Sequence, residues 1–321
     1  MQSMSVVVRT FFAVVGIAAA AATCAQQPAY PLKPIRFVTT PPGSGSDVIA
    51  RMLLPTLSQN LGQQVIVDNR GPIGAELVAK SKPDGYTILC YGPTIWIAPL
   101  INTQVEYNVE RDFMPITMSV VSPNVIVVHP SLPVKSVQEL IALARSKPGQ
   151  LNYASGSTGS AAHLTGELFN SAARVKIVRV SYKGSGPGLI ALLSGEVELS
   201  FPNAGTVAPY LKSGKLRALA VTSLQRSELT PGLPTAAESG LDGFESSTPF
   251  GYFAPTGTPA EIVGRLHQEI VRALKGPGVK ERLFGLGMEV VAGTPQQFAA
   301  VIRADVAKWS KLIKEAGIVV N

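Results

Sequence analysis

The chain has 321 residues, with 28 Lys plus Arg against 21 Asp plus Glu, a formal charge of +7, and 46% hydrophobic residues against 15% charged. That much apolar material excludes a disordered chain, and the length suits two domains of roughly 100–200 residues better than one. Two cysteines exclude a disulfide framework, and three histidines leave little for a multi-histidine metal site.

Residues 1–25 read as an address. Arg9 is the single charge before Lys33, followed by Phe11-Phe12-Ala13-Val14-Val15-Gly16-Ile17, an alanine run and Thr23-Cys24-Ala25. A basic start, a short apolar stretch and a small-x-small end predict a cleaved secretory signal with the cut after Ala25. The apolar run falls short of the ~20 residues a membrane-spanning helix needs. Removing Arg9 lowers the charge from +7 to +6 and leaves Cys90 as the sole thiol. It follows the strand-like Thr87-Ile88-Leu89, so a buried structural role is expected.

Strand-like and helix-like segments then alternate. Ile35-Arg36-Phe37-Val38 reads as a strand, and Val48, Ile49, Met52, Leu53, Leu57 and Leu61 give a helix face over 47–61, with a kink expected at Pro55. Val65-Ile66-Val67 and Tyr86-Thr87-Ile88-Leu89 read as the next strands, the second after the turn Pro83-Asp84-Gly85. Capping boxes are predicted at Ser136-Val137-Gln138-Glu139, Thr258-Pro259-Ala260-Glu261 and Thr294-Pro295-Gln296-Gln297. Phe298, Ile302, Val306, Trp309 and Ile313 place a core face on the last helix. The fold class is α/β, with mostly parallel sheets flanked by helices in two units. Crossings expected at 121–124 and within 231–249 divide the mature chain into 26–123 plus 247–321, and 124–246.

Several chemistries fail on spacing. Gly184-Ser185-Gly186-Pro187-Gly188 is spaced G-x-G-x-G, not as a dinucleotide fingerprint, and no P-loop motif occurs. Ser155-Gly156-Ser157-Thr158-Gly159 resembles a nucleophile elbow with serine in place of its first glycine. His163 lies one helical turn beyond, so a Ser–His hydrolase is the alternative of a different class; the plainer reading is that His163 packs at the helix start. No cofactor motif or metal-ligand spacing is found, and the dispersed cations argue against nucleic acid.

What remains are five small, polar loops that end strands and start helices. They are Thr39 to Asp47, containing Pro42, Gly43, Ser44 and Asp47; Tyr91-Gly92-Pro93-Thr94; Ala154 to Ser160, containing Ser155, Ser157 and Thr158; Tyr182-Lys183-Gly184-Ser185-Gly186; and Pro202-Asn203-Ala204-Gly205-Thr206. Ligands of open α/β sheets bind at the carboxyl ends of strands, where helix N-termini hold anions without a formal cation.

The mature chain resembles the solute receptors of tripartite tricarboxylate transporters, the TctC/Bug family. The resemblance rests on Tyr30-Pro31-Leu32-Lys33-Pro34-Ile35-Arg36, Asp68-Asn69-Arg70, Lys82-Pro83-Asp84-Gly85-Tyr86-Thr87, Leu151-Asn152-Tyr153-Ala154-Ser155 and His163-Leu164-Thr165-Gly166-Glu167-Leu168-Phe169. It continues through Tyr182-Lys183-Gly184, Gly214-Lys215-Leu216-Arg217-Ala218-Leu219-Ala220-Val221-Thr222 and Phe253-Ala254-Pro255-Thr256-Gly257-Thr258-Pro259. It implies a monomeric, two-lobed periplasmic binding protein, type 2-like, that closes on a small organic carboxylate and presents it to integral-membrane transporter subunits.

The resemblance assigns Pro42, Gly43, Ser44, Asp47, Gly92 and Thr94 to the first lobe's side of the cleft. Ser155, Ser157, Thr158, Tyr182, Lys183, Gly184 and Asn203 fall to the second. Three departures bear on the ligand: Pro202 where the family usually has Asp, a short Gly71-Pro72-Ile73-Gly74 after Arg70, and Thr39-Thr40 in the first loop. Binding of an amide or aromatic acid, with signalling to a sensor kinase, is the other reading within the receptor class.

Overall fold

Residues 30–319 are described by the computed structural model, so the signal expected at 1–25 lies outside the described residues. In chain order the strands are β1 (Ile35–Thr39), β2 (Val65–Asn69), β3 (Thr87–Tyr91), β4 (Phe113–Pro123), β5 (Val125–Val128) and β6 (Asn152–Ser155). They continue as β7 (Val178–Ser181), β8 (Leu199–Ser200), β9 (Arg217–Val221), β10 (Ser247–Pro255) and β11 (Glu289–Gly293). One sheet has the order β11-β4-β10-β3-β1-β2 and the other β7-β6-β8-β5-β9.

Each sheet is buried on both faces, and period-two alternation sorts its side chains between two cores. Phe37, Ile88 and Tyr252 pack beneath the helices Gly45–Leu61 and Ala260–Leu274, while Val38, Leu89 and Phe253 face Trp96, Phe298 and Trp309. In the second sheet Ile126, Val128 and Tyr153 go to one core, Val125, Val127 and Ala154 to the other. Cys90 is buried and free, as expected.

The expected mostly parallel sheets are mixed. β1 pairs in parallel with β2 and β3, and β6 with β7 and β8, but β10 runs antiparallel to β3 and β4, β11 to β4, and β5 to β8 and β9. The reason is the crossing itself. β4 leads the chain out of the first sheet at Pro123 and β10 brings it back at Ser247, its register partner, so the two must run in opposite directions. The carboxyl ends of β3 and β4 therefore meet the amino end of β10. Those of β8 and β9 lie toward the amino end of β5, which starts just past the same crossing.

Cap chemistry also differs from expectation in two of three places. Thr294 makes the full box, accepting from the Gln297 N–H while Gln297 Oε1 accepts from the Thr294 N–H at 2.9 Å. Ser136 accepts from the Glu139 N–H at 3.1 Å, but the Glu139 carboxylate takes the Lys135 N–H instead. The Thr258 box is not formed: Pro259 occupies the cap position, one residue too late for the hydroxyl, which donates to Pro255 O at 2.7 Å.

The two crossings are tied together by buried polar atoms. Asn124 Nδ2 donates to Thr165 Oγ1 at 3.1 Å, and that hydroxyl lies 2.5 Å from Ser246 Oγ. Thr222 Oγ1 lies 3.0 Å from Asn124 O and 2.5 Å from Ser246 O, and Asn203 Nδ2 donates to Asn124 Oδ1 at 2.9 Å. Elsewhere the halves touch main chain to main chain: a Cβ on Gly205 would stand 2.5 Å from Leu286 O, and one on Gly287 2.3 Å from Gly205 Cα.

Thr165→Val keeps the shape but leaves buried partners on both crossings unpaired. A loss of about 1–3 kcal/mol is expected in urea unfolding, with near-UV circular dichroism of the native state unchanged.

Candidate functional site

Three strands of the second sheet, β6, β7 and β8, each pass through a short polar loop into a helix: Ala161–Ala173, Ser185–Ser194 and Ala204–Lys212. Because the strands lie side by side in order β7-β6-β8, the three helix N-termini converge. They surround a cavity of about 280 Å3 whose lining includes Ser155, Gly156, Ser157, Ser160, Gly184 and Asn203. Neither an acidic nor a basic side chain lines it. Each N-terminus carries N–H groups without an intrahelical acceptor and the positive end of a dipole. At Gly184 and Asn203, the caps of the second and third helices, no side chain takes up those donors. Gly184 has φ 109°, a conformation that suits glycine, and it turns the chain sharply into its helix.

Of the second-unit candidates, Ser155, Ser157, Gly184 and Asn203 thus share one cavity. Thr158 stands behind it, receiving Arg179 Nη1 at 3.4 Å. Tyr182 donates its hydroxyl to Glu196 at 2.8 Å, and Lys183 is exposed. On the first-unit side, Thr94 lines a second cavity of about 120 Å3 between the units, together with Ile97, Ser160, Thr248 and Trp309. Ser160 and Ala161 belong to both cavities, so the two adjoin.

Pro42, Gly43, Ser44, Asp47 and Gly92 line neither cavity. Pro42 and Gly43 are exposed at the loop tip, and Ser44 Oγ bonds Thr40 Oγ1. Asp47 is buried, and its oxygens accept from Gly43 N–H at 2.9 Å, Arg51 Nε at 2.9 Å and Asn69 Nδ2 at 2.8 Å. Burial works against its charge, but donation from Asn69, Gly43 and Arg51 outweighs it and holds the carboxyl below the usual range. Asp47 thereby shapes the first loop from within. Gly92 has a packing role: a Cβ there, like one on Gly45, would come within 3 Å of the Phe250 ring.

The Ser155–His163 pairing that a hydrolase needs is not made. His163 is buried, and its Nδ1 accepts from Gly159 N–H at 3.1 Å, which places the proton of the neutral ring on Nε2. Ser155 Oγ instead accepts from Arg179 Nε at 2.7 Å. The surrounding His163-to-Glu167 motif is architectural: Gly166 leaves room for the Tyr153 ring, which a Cβ would meet at 2.4 Å, and Glu167 accepts the Tyr153 hydroxyl at 2.6 Å.

Arg179 borders this region without being among the sequence candidates. Ser160 and Thr206 lie in two of the five loops without being named as ligand contacts, and Trp309, expected in the core face of the last helix, also lines the second cavity. Arg179 is the one with a visible signal, a lone cation in an otherwise uncharged strand just before a ligand loop. Among the described residues no group of three His, Cys, Asp or Glu could hold a metal ion, and no helix is long and apolar enough to cross a membrane.

Two mixed sheets joined by paired crossings, with helix N-termini aimed into the space beside them, define a two-lobed solute-binding protein of the periplasmic class. The family model of the tripartite tricarboxylate transporter family receptor (TctC) matches residues 49–318. The chain is 36% identical to Protein BugT of Bordetella pertussis over 99% of this chain and 98% of that one. Among solved structures, an R. palustris protein with adipate superposes with a TM-score of 0.76 at 36% identity, covering 90% of this chain and 99% of that one. MatC from Rhodopseudomonas palustris with bound malate gives 0.72 at 28% identity, with 88% and 100% covered. The chain belongs to the tripartite tricarboxylate transporter receptor family, a family of solute-binding receptors rather than enzymes.

His163 also makes an acid-dependent contribution to stability. Burial chiefly, and the Arg179 charge secondarily, push its pKa from 6.5 down to about 4. Between those values the unfolded chain binds the proton and the folded one does not, so the contribution is complete above pH 6.5 and is lost as pH falls toward 4. His163→Gln should show a smaller drop in urea midpoint between pH 7 and pH 4.5 than the parent chain.

Proposed function

We propose that this receptor captures a small organic carboxylate between two lobes, residues 30–123 with 247–319 and residues 124–246, and delivers it to transporter subunits in the membrane. The observation that carries the reading is the convergence of three helix N-termini on one cavity that no acidic side chain lines. Three sets of N–H donors and three dipoles favour a compact anion, and hydroxyls of Ser157 and Ser160 add further donors. The adjoining cavity reaches Thr94, Ile97 and Trp309 of the first lobe, so a ligand seated on the second lobe gains contacts from both when the cleft closes. Closure then follows ligand as a shift of population toward the state with more contacts. The adipate and malate of the related structures are carboxylates of the size such a cleft accepts.

Delivery to a transporter fits the family and an exported, soluble monomer cleaved after Ala25. The site has no paired nucleophile and base, which supports a binding role without turnover.

The test is a thermal-shift and calorimetric panel of mono-, di- and tricarboxylates, aromatic acids and nicotinamide-type amides. At least one carboxylate should raise the melting temperature. Ser157→Ala should cost about 1–3 kcal/mol of that ligand's binding, while Thr158→Ala, behind the cavity, should cost less. A panel without any stabilising acid would remove the basis of the reading.

A further inference from the structure

We infer that Arg179 is a positioning residue that makes the wall of the cavity prefer a carboxylate over the corresponding amide, an inference that rests on the receptor reading above. Arg179 lies on β7, an edge strand, directly beside Tyr153 of β6. From there its guanidinium reaches the rear of the loop that follows β6. Nε donates to Ser155 Oγ at 2.7 Å, Nη2 to Gly156 O at 3.0 Å and to Ser181 Oγ at 3.1 Å, and Nη1 to Thr158 Oγ1 at 3.4 Å.

A guanidinium has donors and no acceptor, so every atom it binds is used as an acceptor. The Gly156 carbonyl also receives Ser181 Oγ at 3.2 Å, and Ser155 Oγ lies 3.2 Å from the same oxygen. Gly156 O, Ser155 Oγ and Thr158 Oγ1 are therefore acceptors engaged at the rear. On this loop's cavity side remain the peptide N–H groups of the loop and helix start and the hydroxyls of Ser157 and Ser160. Ser160 Oγ already accepts from the His163 N–H, which leaves its own proton to give.

A carboxylate offers only acceptors and meets this wall fully. An amide of the same shape presents an NH2 that finds Gly156 O, Ser155 Oγ and Thr158 Oγ1 turned away. On this loop only the hydroxyl oxygens of Ser157 and Ser160 are left to receive it, the latter already accepting from the His163 N–H, so it pairs less completely than the carboxylate. The guanidinium charge is felt in this loop, since it helps hold the His163 ring neutral. Lysine could not substitute fully, because an ammonium is a point donor and cannot span Ser155, Gly156 and Ser181 as a planar fork does.

Calorimetry with succinate, adipate and benzoate, and with succinamide, adipamide and benzamide, tests this on the parent chain and on Arg179→Gln and Arg179→Lys. The parent should prefer an acid over its amide. Arg179→Gln should weaken acid binding about tenfold or more and amide binding less than about threefold. Arg179→Lys should recover part of the preference. The NMR titration of His163 gives a second readout: it should move upward in Arg179→Gln, where the opposing charge is gone, and stay low in Arg179→Lys.

An unchanged acid-to-amide ratio in Arg179→Gln, or equal loss of both with the His163 titration unmoved, would overturn the inference while leaving the receptor reading intact. If Arg179→Gln does not fold, Arg179→Lys decides alone, a reduced ratio supporting the inference and a parent-like ratio overturning it. No acid binding by the parent chain overturns the receptor reading and this inference together.

Discussion

Everything in this molecule depends on how the chain passes twice between its two sheets. Asn124 and Ser246 sit at the two crossings, and Thr165 and Thr222 join them with hydrogen bonds away from water. Each of these polar groups is costly to bury alone and satisfied only in company. The knot also reaches the site, since Asn203, which caps one of the three convergent helices, is held by Asn124. The joint between the sheets and a wall of the cavity are thus one network.

The chemistry that follows is electrostatic without net charge in the lining. Seven excess positive charges in the full sequence point toward an anionic partner, yet no lysine or arginine lines the larger cavity. The favourable potential comes from peptide dipoles, and its arrangement follows from strand order: neighbouring strands must deliver their helices to the same place. The guanidinium nearest the site acts from behind a loop, through what it leaves free.

How far this was legible in the sequence can be traced residue by residue. The α/β alternation and the small polar loops after β6, β7 and β8 are local patterns, and local patterns survive without coordinates. The direction of β10 is not local, because it depends on a crossing more than a hundred residues after β4 begins. Of the partners of Asp47, Arg51 stands one turn on along the same helix and is a local pattern, but Asn69 lies on β2 and is not. Gly92 sits in a loop with the pattern of a ligand turn, but the neighbour that a Cβ there would meet is Phe250, far along the chain. The role of Arg179 is not legible along the chain, because it depends on β7 lying beside β6. The failed Thr258 box had the right residues one position out of step with the helix.

The approach of Gly205 to Gly287 bears on how the two sides of the molecule are spaced. Where two parts of a protein meet through side chains, the gap between them drifts as those side chains are exchanged. Here peptide meets peptide, with less than 3 Å available to any added carbon. The spacing on that side is therefore set by main-chain packing, which exchange of neighbouring side chains does not touch. Side chains elsewhere can be exchanged while this contact holds two lengths of main chain at one separation.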